Sequence, residues 1–162
     1  MAERFWWRGR RGEWYVVVQA ILFLLVVFGP RSWRGWPSWE FPGGTLVWVG
    51  GAVLMLGGGC LATAGLLKLG AGATGLPRFA AGAGLQQTGA FSVVRHPVYC
   101  GTILAAFGWA LIRQGWLTLG YAVLLSVLLD LKSRREEARL LAKFPEYANY
   151  RQRVRKFIPF VY

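Results

Sequence analysis

The sequence predicts an all-α fold, a helical bundle integral to a membrane, and three observations carry that expectation. Of its 162 residues 55% are hydrophobic, and the mean hydropathy is +0.38. Nineteen Lys and Arg face only seven Asp and Glu. The charge is also unevenly placed: no residue between Glu40 and Asp130 is acidic, and that stretch holds only Lys68, Arg78, Arg95 and Arg113 as basic residues. Apolar segments in the middle with basic ends describe a small membrane protein, and they argue against the nucleic-acid partner that a net charge of +12 would otherwise suggest. This composition excludes a disordered chain, and two cysteines exclude a disulfide scaffold.

The expected organisation is a single membrane-embedded domain over 1–162 with about four transmembrane helices. The first apolar run, residues 14–29, includes only Gln19 as a strongly polar side chain and stops at Gly29-Pro30. It lies near the lower limit of roughly 17 to 25 residues for a spanning helix. A cleaved leader would need a small-residue site after the run, where Arg31, Trp33, Arg34 and Trp36 stand instead. The second run, 45–69, is long enough to span with tilt. Its small residues, in pairs such as Gly58/Ala62 and Gly59/Thr63, favour close helix contact. Two shorter runs, 97–112 and 116–131, flank Arg113-Gln114-Gly115 and predict a tight helical hairpin. Trp14, Trp33, Trp36, Trp39, Trp48 and Trp116 fall near span ends, where indole rings favour the interface. A cytoplasmic helix is expected in the tail, residues 132–162.

Orientation follows from counting basic residues. The N-terminal arm carries Arg4, Arg8, Arg10 and Arg11, the middle loop Lys68, Arg78 and Arg95, and the tail nine more from Lys132 onward. The opposite side holds only Arg31, Arg34 and Arg113. The positive-inside rule therefore places both termini and the loop 70–96 in the cytoplasm, with anionic lipids as neighbours of the basic tail. Cys60 within a span and Cys100 near the cytoplasmic face predict no structural disulfide.

Gly70-Ala-Gly72-Ala-Thr-Gly75 matches G-x-G-x-x-G. A dinucleotide site would need a preceding strand and an acidic residue about 20 positions on. A membrane helix precedes it and no acid follows before Asp130, so it reads as a flexible linker.

The residues that carry chemistry cluster on the cytoplasmic side. Pro97 suits the first turn of a helix, which sets Arg95 and His96 at that helix's N-terminus, where free N–H groups and the dipole favour anions. His96 is the only histidine, so a His-cluster metal site is not expected. In the tail, Lys132, Glu136 and Arg139 recur at four and three residues and give one helix face alternating charge. Glu137 reads as a solvated i,i+4 ion pair. No Ser/His/Asp or Cys/His arrangement stands out.

Three blocks in order are Leu85-Gln-Gln-Thr-Gly89-Ala-Phe91 with Arg95-His-Pro-Val-Tyr99-Cys-Gly101, then Glu136-Glu137, then Tyr147-Ala-Asn-Tyr150 with the basic tail to Pro159. On these the sequence resembles the isoprenylcysteine carboxyl methyltransferase and phospholipid methyltransferase superfamily of integral membrane enzymes, over roughly 76–162. The resemblance implies S-adenosylmethionine as cofactor. Leu85, Gln86 and Phe91 would lie along it, His96, Pro97, Val98 and Tyr99 would close around it, and Glu136 would meet its amino group. It further implies a lipophilic or membrane-soluble methyl acceptor, such as an isoprenylcysteine-like carboxylate or another small lipid-like molecule. His96 and Tyr99 would position the reactants without an enzyme nucleophile. Lys132 matches the position at which prenylcysteine-methylating members carry a substrate-binding arginine, and lysine lacks the bidentate fork. Phe144-Pro-Glu-Tyr147 also departs from the Phe-Gly that many members show, as a local turn variant.

Two other classes compete. Membrane sterol reductases that use NADPH share an RHPxY-like block, in much longer chains. A non-catalytic scaffold whose basic arms bind anionic lipid would explain the charge but not that block.

Overall fold

The computed structural model describes residues 13–36, 39, 44–69 and 85–158. Six helices lie among them: α1 Glu13–Phe28, α2 Gly44–Leu69, α3 Ala90–Val93, α4 Pro97–Arg113, α5 Trp116–Lys143 and α6 Tyr147–Arg153. The N-terminal arginines, Arg78, the glycine motif at 70–75 and Pro159 lie outside the described residues.

α2 and α5, of 26 and 28 residues, are long and apolar enough to cross a membrane, and α1 and α4 are shorter apolar helices. α2 runs antiparallel along α4 on glycines seven residues apart. A Cβ on Gly51 would lie 2.7 Å from the Gly108 carbonyl, one on Gly58 2.5 Å from the Gly101 carbonyl, and one on Gly65 2.8 Å from Val98 Cγ2. Only glycine lets the two backbones approach so closely. The expected Gly58 contact is present, and Ala62 forms its facing wall through Gly101. The Gly59/Thr63 pair differs: a Cβ on Gly59 would meet nothing within 4 Å, and Thr63 is exposed. The helical period separates adjacent residues by about 100°, so only one of the two pairs can face α4.

α1 packs antiparallel on α5, and these two meet α4 in a core of Val26, Ala106, Ala122, Leu125 and Leu129, flanked by Leu22, Ile103 and Phe107. Among the described residues α1 and α2 share no contact. Leu46, Val53, Leu56 and Leu67 of α2 and Phe23 and Leu24 of α1 are exposed apolar side chains.

The α4–α5 turn is the tight hairpin expected. Gln114 takes the left-handed conformation (φ 46°, ψ 51°) and donates its N–H to the Leu111 carbonyl at 3.2 Å. The Arg31 carbonyl accepts the Leu117 N–H at 3.1 Å, which ties the α1 exit to the start of α5. Trp39 stacks on Trp116 with centroids 4.7 Å apart.

The tail departs from expectation. The last apolar run and the helix expected after it form one continuous helix to Lys143, because nothing between Trp116 and Lys143 interrupts it after Gly120 and the first proline beyond is Pro145. α5 thus carries its buried face past the apolar run into the charged segment: Leu125, Leu129, Ser133 and Glu137 lie on it in turn.

Candidate cofactor and acceptor site

The site forms where the start of α4, the second half of α5 and the tail converge. Pro97 occupies the first helical position of α4 with His96 as its N-cap residue. The Val98 and Tyr99 N–H groups therefore stand in the unpaired first turn, at the positive end of the helix. Four residues separate Lys132 from Glu136 on α5, so both project from one face.

Tyr99 donates its hydroxyl to Glu136 Oε1 at 2.6 Å. His96 lies between two glutamates, with Nε2 3.1 Å from Glu137 Oε1 and Nδ1 3.9 Å from Glu136 Oε2. Since an ionised carboxylate only accepts, Nε2 carries the hydrogen toward Glu137. The imidazole is parallel to the Tyr99 ring, centroids 5.5 Å apart. Lys132 Nζ stands 5.1 Å from the centroid of the same ring and donates to Gln19 Oε1 of α1 at 2.9 Å. Past the end of the apolar run, burial lowers the Lys132 pKa below its usual range against an opposing contribution from the Glu136 charge.

Glu137 corrects the sequence expectation. It is not a solvated pair but a buried carboxylate, 6% exposed. It accepts from Arg95 Nε at 2.9 Å and from His96, with Arg151 Nε at 3.9 Å. Burial raises its pKa, but the hydrogen bonds from His96 and Arg95 and the Arg95 charge outweigh burial and hold it at about 2. Glu137 continues the buried face of α5, on which Thr118, Ala122, Leu125, Leu129 and Ser133 precede it at steps of three and four residues.

Arg95 also fastens the tail. Nη1 donates to the Val154 carbonyl at 2.6 Å and to the Arg151 carbonyl at 3.2 Å. Val94 and Arg155 form a parallel bridge, with the Arg95 N–H to the Arg155 carbonyl at 2.8 Å and the His96 N–H to the Lys156 carbonyl at 3.3 Å. The Tyr150 hydroxyl donates to the Phe91 carbonyl at 2.5 Å and Cys100 Sγ to the Phe157 carbonyl at 3.1 Å. Lys156, 5% exposed, donates to Asp130 Oδ1 at 2.5 Å. Burial raises the Tyr150 pKa to about 12, Arg95 opposing and Glu137 adding.

A model of the family described as phospholipid methyltransferase matches residues 46–146. The chain belongs to that family. It is a family of membrane methyltransferases, within the isoprenylcysteine carboxyl methyltransferase superfamily. The chain is also 30% identical, over 97% of its length and 67% of the relative's, to the cobalt-zinc-cadmium resistance protein CzcN of Cupriavidus metallidurans. No solved structure matches it.

Set against the expectations that the family raised, the structure brings His96, Tyr99, Glu136 and Lys132 into one cluster. Phe91 is buried and turns its carbonyl to Tyr150. Pro97 and Val98 turn the other way, onto Gly65 of α2. Leu85 is half-buried and Gln86 exposed, and it is Gln87 that accepts from Arg153 Nη2, at 3.5 Å. Gln19, Glu137 and the Asp130–Lys156 pair were missed as parts of this region. Among the described residues no three His, Cys, Asp or Glu side chains are grouped to hold a metal ion.

Proposed function

We propose that the protein is an S-adenosylmethionine-dependent methyltransferase acting on a lipophilic, membrane-soluble acceptor. The observation that carries this reading is the Tyr99–Glu136 hydrogen bond at 2.6 Å beside the α4 N-terminus. The residues present suit the cofactor chemically. Glu136, with a side chain 21% exposed, offers a carboxylate to an ammonium group. The unpaired N–H of Tyr99 at the α4 N-terminus offers a donor to a carboxylate.

The cofactor would supply an electrophilic methyl group, which the acceptor's own lone pair can take without an enzyme nucleophile. The chain's contribution is then to bind and align. Tyr99 restrains the Glu136 carboxylate through its hydrogen bond, and the His96 ring, parallel to that of Tyr99, flanks it. Lys132 is placed four residues before it to meet the acceptor. The tail, which Arg95 fastens beside His96, would limit access by water.

The reading includes a four-span topology with α1, α2, α4 and α5 crossing the membrane and both termini cytoplasmic, supported by the distribution of basic residues. Cofactor would enter from the cytoplasm and acceptor laterally, a path compatible with the separation of α1 from α2.

Calorimetry on the full chain in detergent, with S-adenosylhomocysteine and with NADPH, tests the assignment. The expected result is binding of S-adenosylhomocysteine that Glu136→Ala and His96→Ala abolish while the protein stays folded. Binding that survives both substitutions removes the site. Binding of NADPH instead supports a reductase, and binding of neither a scaffold.

A further inference from the structure

α1 reads Tyr-Val-Val-Val-Gln19-Ala-Ile-Leu-Phe-Leu-Leu-Val-Val-Phe after Trp14, so one amide interrupts an otherwise apolar helix. A polar side chain at such a position costs free energy unless it faces the bundle and finds a partner. Gln19 finds Lys132, at 2.9 Å. Lys132 stands over the Tyr99 ring, and Tyr99 bonds Glu136. Gln19 is therefore joined by three successive contacts to the carboxylate assigned above to the cofactor. It also lies outside residues 46–146, the part that the family model matches.

The chemistry of the pair is directional. An ammonium has donors and no acceptor, so the Gln19 amide must present its oxygen to Lys132 and turn its NH2 elsewhere. Lys132 and Gln19 together then offer a positive charge and additional N–H donors within one small volume. Their complement is an acceptor-rich anion, while a cationic head group would meet the Lys132 charge at close range.

We propose that Gln19 is a specificity-determining positioning residue, which orients the Lys132 ammonium beside Tyr99 and makes the site select a methyl acceptor with an anionic head group. The inference rests on the methyltransferase reading above. It assigns α1 a role in acceptor choice that the matched family segment does not contain.

The test uses the full chain in detergent, saturated with S-adenosylhomocysteine, and two single-chain probes of equal length, hexadecanoate and hexadecylamine. Wild type is expected to bind the acid in preference to the amine. Gln19→Met, nearly isosteric and apolar, is expected to weaken the acid by roughly tenfold, the worth of one charge-assisted hydrogen bond, and to leave the amine unchanged. Gln19→Glu pairs Lys132 internally, leaves the pair net neutral, and is expected to abolish the preference. S-Adenosylhomocysteine affinity should change less than acid affinity in both variants, because Gln19 reaches Glu136 only through Lys132 and Tyr99. A merely structural role would shift both probes together. Equal binding of the two probes by wild type, or a preference unchanged in both variants, overturns the proposal. Failure of wild type to bind S-adenosylhomocysteine overturns the reading beneath it instead.

Discussion

Arg95 Nε and Glu137 Oε1 lie 2.9 Å apart, both side chains only 8% exposed, and this pair is where the segment leading into α4, the far half of α5 and the tail are joined. Its arginine serves three elements at once, through one carboxylate and two tail carbonyls. Glu137→Ala leaves a buried guanidinium without its counter-charge. Removing one partner of such a pair costs about 3–5 kcal/mol. The expected outcome is a markedly lower thermal midpoint in detergent, with new tryptic cleavage at Arg151 and Arg153 at temperatures where wild type is resistant. Glu137→Gln keeps an acceptor and should fall between the two.

The same carboxylate sets an acid limit on stability. Its pKa in the folded chain is about 2 against an ordinary 4.5. A depressed pKa contributes stability that is complete above the unfolded value and lost as the pH falls through the folded one. About 3 kcal/mol should therefore disappear between pH 4.5 and pH 2. Thermal midpoints recorded across that window should fall steeply for wild type and less steeply for Glu137→Gln.

The α2–α4 contact gives a contrast between neighbours. A methyl on Gly58 would meet the Gly101 carbonyl at 2.5 Å and the Ala105 nitrogen at 2.6 Å, both backbone atoms that cannot step aside. Gly58→Ala should lose about 1–3 kcal/mol by overpacking. Gly59→Ala meets open space and should gain about 0.5–1 kcal/mol from helix propensity. Equal effects at the two positions would contradict this packing register.

Asp130 and Lys156 also hold the tail to α5. Asp130→Ala leaves a buried ammonium short of its carboxylate and should destabilise the protein by several kcal/mol, whereas Asp130→Ala with Lys156→Met should recover much of the loss. A double-mutant cycle of thermal midpoints measures the coupling, expected on the order of 1–3 kcal/mol. Simple additivity would show that the contact contributes nothing of its own.

The helices could be read from the chain because apolar runs and their breaks are local properties. Gly29-Pro30, Arg113-Gln114-Gly115 and Pro97 each terminate or begin a helix through backbone geometry that neighbouring residues dictate. Lys132 and Glu136 could be placed on one face for the same reason. Their partners could not. Tyr99 and Glu136 are 37 residues apart, and Gln19 and Lys132 are 113 apart. Periodicity within one helix says nothing of which face of another it meets.

Glu136 and Glu137 show the division most closely. The sequence by itself determined that both stand on a helix just beyond an apolar run, among basic residues, and the motif blocks around them determined the family. Only the tertiary structure decided that Glu137 is buried between Arg95 and His96 as the anchor of the tail, while Glu136 turns to Tyr99 in the site. The physical reason is a rotation of about 100° between consecutive residues on a helix. A single position along α5 separates the carboxylate that continues the core stripe from the one beside it, and the helices packed against α5 settle which is which.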